Sequence, residues 1–332
     1  MPHKPPPNMS RAEVLACMVE KIAYRGWNNA WRLSNGTVEL LVLAAAGPRI
    51  LRYLFCGDEN ILHEVDSDAG LSGGTDFRLY GGHRLWAWPE IARTYFPDNR
   101  PVSVTQSGRT VRFTSPVEDF APGTLLQKQF DVSLNADGTG VRIDHTITNC
   151  GTEATELALW CPTMMRPDGR AILPLPPRAA MDAEHFQSAG PLALWSFTDL
   201  ADSRWTFGTE FIQLRQERNP AGRFAEQMSG VFNPAGWGAY YFRGSLFVKC
   251  ASPVSRARYP DFGCNFEVFT NPEFLELETL APITVLKPGE CASHTEFWTL
   301  FRNVRSGEDD EWIRAAVVPL ATSANEEAAR HL

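Results

Sequence analysis

The chain reads as an all-β protein, one large sandwich or supersandwich of short strands with a short helix towards either end. Three observations lead there. Apolar residues alternate with period two from about Trp31 onward, turn signals separate the alternating runs, and no strand–helix–strand rhythm appears. With 332 residues, 44% of them apolar, the chain can build a sizeable core within a single unit.

Taken in order, the Pro-rich residues 1–9 are expected as a flexible tail, followed by one domain over 10–318. Ser10 stands three residues before Glu13 as a capping box. Val14, Leu15, Met18, Val19 and Ile22 then recur at helical spacing, which predicts a short amphipathic helix. Val38, Leu40 and Val42 alternate in GTVELLVL. Leu126, Lys128, Phe130, Val132 and Leu134 alternate against Gln127, Gln129, Asp131 and Ser133, and Val141, Ile143, His145 and Ile147 share one face. Turn signals at 135–138, 149–151 and 167–169 punctuate these runs. Ser306 with Asp309 marks the start of a helix ending near Val317, before Pro319, and 319–332 is expected as a second flexible tail.

Composition narrows the function classes. A net charge of −8 without a Lys/Arg run argues against nucleic acid and against an anionic membrane surface. The longest apolar run, LLVLAAAG at 40–47, is too short to cross a bilayer, and the first residues show no apolar segment of the secretory kind. Seven dispersed cysteines without a C-x-x-C pair suit reduced thiols, not a disulfide framework or zinc site. A cytoplasmic protein is the expectation.

Two stretches carry candidate chemistry. YGGHRLWAWPE, 80–90, sets His83 and Arg84 beside Trp86 and Trp88, a mixture that suits sugars: polar groups for hydroxyls, flat faces for the C–H side of a ring. Alternation points Arg84, Trp86 and Trp88 one way and His83 the other, unless Gly81-Gly82 bends the strand. In FLELETL, Phe274, Glu276, Glu278 and Leu280 share a face, and a four-residue connection from GCNFEVFT is expected to pair Glu267 with Glu276. Three carboxylates on one face require cations or ligand hydroxyls in answer. Arg84 is one candidate cation, and Lys249, opposite Leu246 and Val248 in SLFVKC, is another. Tyr259 and Asp261 lie in the loop entering the hairpin, where they suit ligand contacts. His145, among apolar strand-mates, reads as a satisfied core histidine, and His63 stays open between pocket and turn. The 80–90 segment, Lys249 and the 265–278 hairpin are therefore expected to line one cleft, with Glu278 raised in pKa. No motif supports a metal site, and no cofactor is expected.

Further motifs carry a resemblance. Leu277-Glu278-Thr279, then Leu286-Lys287-Pro288-Gly289-Glu290, then a last strand from His294 to Phe301, resemble the C-terminal part of galactose mutarotase-like proteins. AAAGPRILRYLFCGDENIL, 44–62, looks like the early strand pair of that superfamily, and Trp-rich Gly-Gly segments occur near the sugar site in some of its branches. The resemblance spans about residues 30–303 and points to a bacterial branch apart from the true aldose epimerases. It implies a galactose mutarotase-like β-supersandwich that takes a small carbohydrate and interconverts anomers by acid–base catalysis. Glu278 matches the family's general base. The histidine acid is expected soon after the Asn149-Cys150-Gly151 turn, where this sequence has Trp160, so His83 is the candidate acid and Trp160 a substrate contact. Three readings follow: an epimerase-like isomerase, a non-catalytic carbohydrate-binding module, or an enzyme eliminating on an acidic sugar with Arg84 or Lys249 answering the carboxylate. A histidine within reach of Glu278 favours the first; an aromatic shelf without an acid–base pair favours the second.

Overall fold

The computed structural model describes residues 18–121, 124–182 and 186–330. Their strands pair antiparallel in three sheets. A four-stranded meander runs Met18–Tyr24, Trp27–Ser34, Val38–Leu43, Arg49–Phe55. A seven-stranded sheet has the order Leu192–Leu194, Gln227–Val231, Phe266–Thr270, Leu275–Leu280, Thr155–Met165, Thr284–Leu286, with Trp86–Trp88 also paired to Thr155–Met165. An eleven-stranded sheet is centred on Ser245–Cys250, Cys291–Phe301, Val141–Asn149 and Thr124–Leu134.

The alternation seen in sequence becomes the inner face of these sheets. Leu126, Lys128, Phe130, Val132 and Leu134 are buried while the residues between them are half-buried. His83 joins the meander to the seven-stranded sheet, because its backbone bridges Ile50 on one side and Thr163 on the other. The joined layer faces the eleven-stranded sheet across a continuous core that includes Leu40, Tyr53, Phe130, Ile143, Phe247, Leu277 and Trp298. Strand Thr155–Met165 is buried on both faces from Leu157 onward, which explains its near-continuous apolar run.

Both predicted helix boundaries need correction. Ser10 and Glu13 lie outside the described residues, and Met18–Tyr24 is an edge strand, not the end of a helix. It pairs with Trp27–Ser34 through Arg25-Gly26, a turn with φ of +43° and +94°. Met18, Val19 and Ile22 fit either period in so short a window, and the hairpin turn decides for strand. At the other end Asp309 caps the helix, its carboxylate accepting from the Trp312 amide at 2.7 Å. The helix then runs past Val317 to Arg330, through a π-helical stretch at Ile313–Val317 and an α-helix at Val318–Arg330. Pro319 lacks an amide proton, and the widened turn just before it absorbs the missing rung. Residues 319–330 are thus no loose tail. Ala321, Ala324 and Ala328 join Trp312, Ile313 and Val317 against Trp237, Ala239, Leu246 and Val248 on the outer face of the eleven-stranded sheet. Among the described residues no helix is long and apolar enough to cross a membrane.

Candidate functional site

The Phe266–Thr270 and Leu275–Leu280 hairpin sets the geometry. Its four-residue loop, 271–274, makes Thr270 oppose Leu275, so Glu267 stands directly across from Glu278, while Phe269 faces Glu276. The expected pairing of Glu267 with Glu276 is corrected by two residues. A shift of two keeps the face, so all three carboxylates still point the same way. On the next strand Pro162 lies opposite Glu278 and Trp160 opposite Leu280; beyond it Trp86 opposes Trp160, and Trp88 opposes Ala158. Carboxylates and indoles therefore share the face turned away from the main core. On the other side of Glu267 stands Gly230, where a Cβ would fall 2.9 Å from Glu267 Cγ and 2.8 Å from Cys264 Sγ.

Aromatic rings wall the face. Trp86 and Trp160 lie 4.9 Å apart between centroids, with Leu280, Phe77 and Trp88 packed beside them. The Trp160 indole N–H donates to the Glu278 carboxylate, Trp88 donates to Asp261 Oδ1 at 3.3 Å, and the Tyr95 hydroxyl donates to Glu90. Asp261 in turn hydrogen-bonds Glu267. Two groups are left unanswered. Glu267 is 1% exposed, and its Oε1 has no partner. Arg84 is 2% exposed; its guanidinium lies 4.8 Å from the Trp86 ring and 5.0 Å from that of Phe77. Its Nη2 donates to the carbonyls of Arg78 and Leu79, but Nε and Nη1 have no acceptor.

Burial dominates the electrostatics. It pushes Glu276 up to about 7, against the pull of Arg84. Burial and then the neighbouring carboxylate hold Glu267 and Glu278 well above the usual range, with Glu278 partly drawn back by the Trp160 N–H. Asp261 also rises on burial. Arg84 falls to about 9, through burial and the nearby Arg49.

His83 and Lys249 do not join this face, and their expected place in one cleft with Glu278 is corrected. Both lie between the sheets. His83 Nδ1 meets Thr163 Oγ1 at 2.9 Å, and its Nε2 meets His145 Nε2 at 2.7 Å. Lys249 pairs with Glu296 at 2.9 Å and donates to Thr163 Oγ1 and to the carbonyls of Cys161 and Leu277. Alternation left Lys249 on the wrong side because its strand is covered on both faces: Leu246 and Val248 pack under the C-terminal helix, so Lys249 turns inward beside Phe247. Burial drives the His83 pKa far down, so it is a neutral imidazole. His145 is the satisfied core histidine expected, donating or accepting at both nitrogens.

Tyr259 is also turned elsewhere. It packs on Phe232, accepts the Val254 amide at 2.8 Å, and lines a separate cavity of about 200 Å³ with Cys250, Pro282 and Phe297. Asp261 does reach the face. His63 stacks on Phe274 at 5.7 Å and borders a different groove with Glu64, Arg166 and Arg218. Sequence reasoning passed over Phe77 and Tyr95, which rim the site with Glu90. It also missed Glu296 and Thr279, which hold the buried ion pair behind it. Thr279 was legible as the inward neighbour of Glu278; Phe77 had no periodic signal.

No protein-family model and no curated protein matches this chain. Solved structures do match. A galactose mutarotase-like protein from Lactobacillus casei gives a TM-score of 0.56 at 11% identity, covering 82% of this chain and 100% of that one. A galactose mutarotase related enzyme from Lactobacillus acidophilus gives 0.53 at 8%, covering 84% and 99%. A TPR-domain containing protein from Parabacteroides distasonis gives 0.54 at 14%, covering 84% of this chain and 48% of that one. The chain has the galactose mutarotase-like β-supersandwich fold.

Proposed function

We propose that the protein binds a carbohydrate on the aromatic–carboxylate face and moves protons on it, as an epimerase-type isomerase. The observation carrying this reading is the cross-strand pair Glu267–Glu278, buried among indoles. Burial and repulsion hold protons on such a pair more tightly than on free carboxyls, and a carboxyl that gives a proton beside one that takes it suits acid–base exchange at an anomeric centre. The Trp160 N–H favours the ionised form of Glu278 and suits it to the base. Glu267, with an unanswered Oε1, keeps its proton more readily and suits the acid in place of a histidine. Arg84 and the rings of Trp86, Trp88 and Trp160 would orient the sugar, with Asp261 and Glu276 taking hydroxyls.

NMR anomer-exchange measurements over a sugar panel test this. Glu278→Gln should abolish exchange while leaving binding within a few-fold, because the amide keeps the shape but accepts no proton. Wild-type exchange rates in that variant would end the assignment. General acid catalysis is worth about a hundredfold or more, so Glu267→Gln should slow exchange of any substrate by at least that factor. A second reading, a non-catalytic binding module, is favoured by the inward placement of His83, His145 and His294. Sugar binding with no exchange above the buffer rate for any sugar would select it.

A further inference from the structure

The charge inventory of the face narrows the sugar, given the carbohydrate reading above. Glu90, Asp261, Glu267, Glu276 and Glu278 act on one another there. Arg84 acts on Glu276 from the same face, while Lys249 acts on Glu276 and Glu278 from behind the sheet, already paired with Glu296. Arg49, beside Arg84, is bound to Asp98. The indole donors and the Tyr95 hydroxyl give Glu278, Asp261 and Glu90 one bond each, Asp261 and Glu267 share another, and Glu267 Oε1 has no partner among the described residues. A buried acceptor left unmade is costly, so its partner is a donor that arrives with the ligand. Arg84 asks for the opposite: its Nε and Nη1 need an acceptor oxygen.

A bare cation would answer the carboxylates and leave Arg84 unmet. An acidic sugar would answer Arg84 and meet the repulsion of the carboxylates. We propose that the ligand is an amino sugar, its ammonium held at Asp261, Glu267 and Glu278 while a ring or hydroxyl oxygen accepts from Arg84. The indole faces add to the attraction, since aromatic rings draw cations as well as C–H surfaces. An ammonium favours the ionised carboxylates, so its binding releases protons from Glu267, Glu276 and Glu278, and affinity rises with pH while the ligand amine stays protonated.

Isothermal titration of the full chain with glucosamine, galactosamine, glucose, galactose and glucuronate, at pH 7 in two buffers of different ionisation enthalpy, is the test. The amino sugars should bind about tenfold or more tighter than their neutral parents, as hydrogen bonds to charged groups exceed neutral ones. They should release protons where the parents do not, and Glu267→Gln should erase both the preference and that proton release. Equal affinity for amino and neutral sugars overturns the amino-sugar assignment and leaves the carbohydrate reading standing. Glucuronate binding tightest overturns it in favour of an anionic ligand. No binding by any of the five removes both readings.

Discussion

At Trp160 a single side chain changes the chemistry open to the site. An indole N–H donates but neither accepts nor exchanges a proton near neutral pH, so Trp160 can steady a carboxylate and nothing more. In the proposed reading proton transfer falls to the glutamates, and burial raises their pKa values. Glu276 moves from 4.5 to about 7 on folding. The folded state thus holds that proton more tightly. Its favourable contribution is complete below about pH 4.5 and is lost as pH rises through about 7, a change of up to about 3 kcal/mol for this group. Glu276→Gln removes the slope, so the variant should gain stability relative to wild type from pH 4.5 to 8. Urea unfolding at a series of pH values measures this, and parallel curves would refute the raised pKa. Trp160→Phe removes the indole N–H that, with the Lys249 charge, draws Glu278 down, so the pH limb assigned to Glu278 in any exchange profile should move to higher pH. An unmoved limb would show that Glu278 is not the titrating base.

The strand pair around Glu267 and Glu278 is the element that makes the site, and it is held from both sides. Gly230 permits the close approach on the outer face. Gly230→Ala would push its methyl within 3 Å of Glu267 Cγ and Cys264 Sγ, so the carboxylate pair must spread. Sugar affinity should fall about tenfold, with about 1–3 kcal/mol of stability lost to overpacking; unchanged affinity would show that the pair's spacing is immaterial. From the inner face the Lys249–Glu296 pair grips the same strands, because Lys249 bonds the Leu277 and Cys161 carbonyls and Thr279 donates to Glu296. Removing one partner strands a buried charge. Lys249→Met should cost about 3–5 kcal/mol, and adding Glu296→Gln should return part of that loss. A double mutant as unstable as the sum of the two singles would show no coupling between the sheets through this pair.

Across the whole molecule, two faces of the eleven-stranded sheet are covered by different means. The inner face packs against the joined sheets and the outer face against the C-terminal helix. A chain cut after Glu308 would expose Trp237, Leu246, Val248 and Phe297 together, a continuous apolar patch of the kind that drives association. Such a chain should melt at lower temperature and scatter light on heating; an unchanged melting temperature without scattering would mean the helix is dispensable.

The sequence by itself determined the fold class. Alternation in 126–134 and 141–147 is set by the two-residue repeat of a strand, a local property of the chain. It also determined which face Glu267, Glu276 and Glu278 share, because a register error of two residues leaves a face unchanged. The opposition of Glu267 and Glu278 follows from the four-residue loop 271–274 itself, which sets Thr270 against Leu275. The inward turn of Lys249 and the passage of the helix through Pro319 were decided only in the tertiary structure, by what lies against each element: a helix covering the second face, an apolar sheet for the alanines. Period alone says that two sets of side chains point apart. Only packing says which of the two meets the core and which meets a ligand.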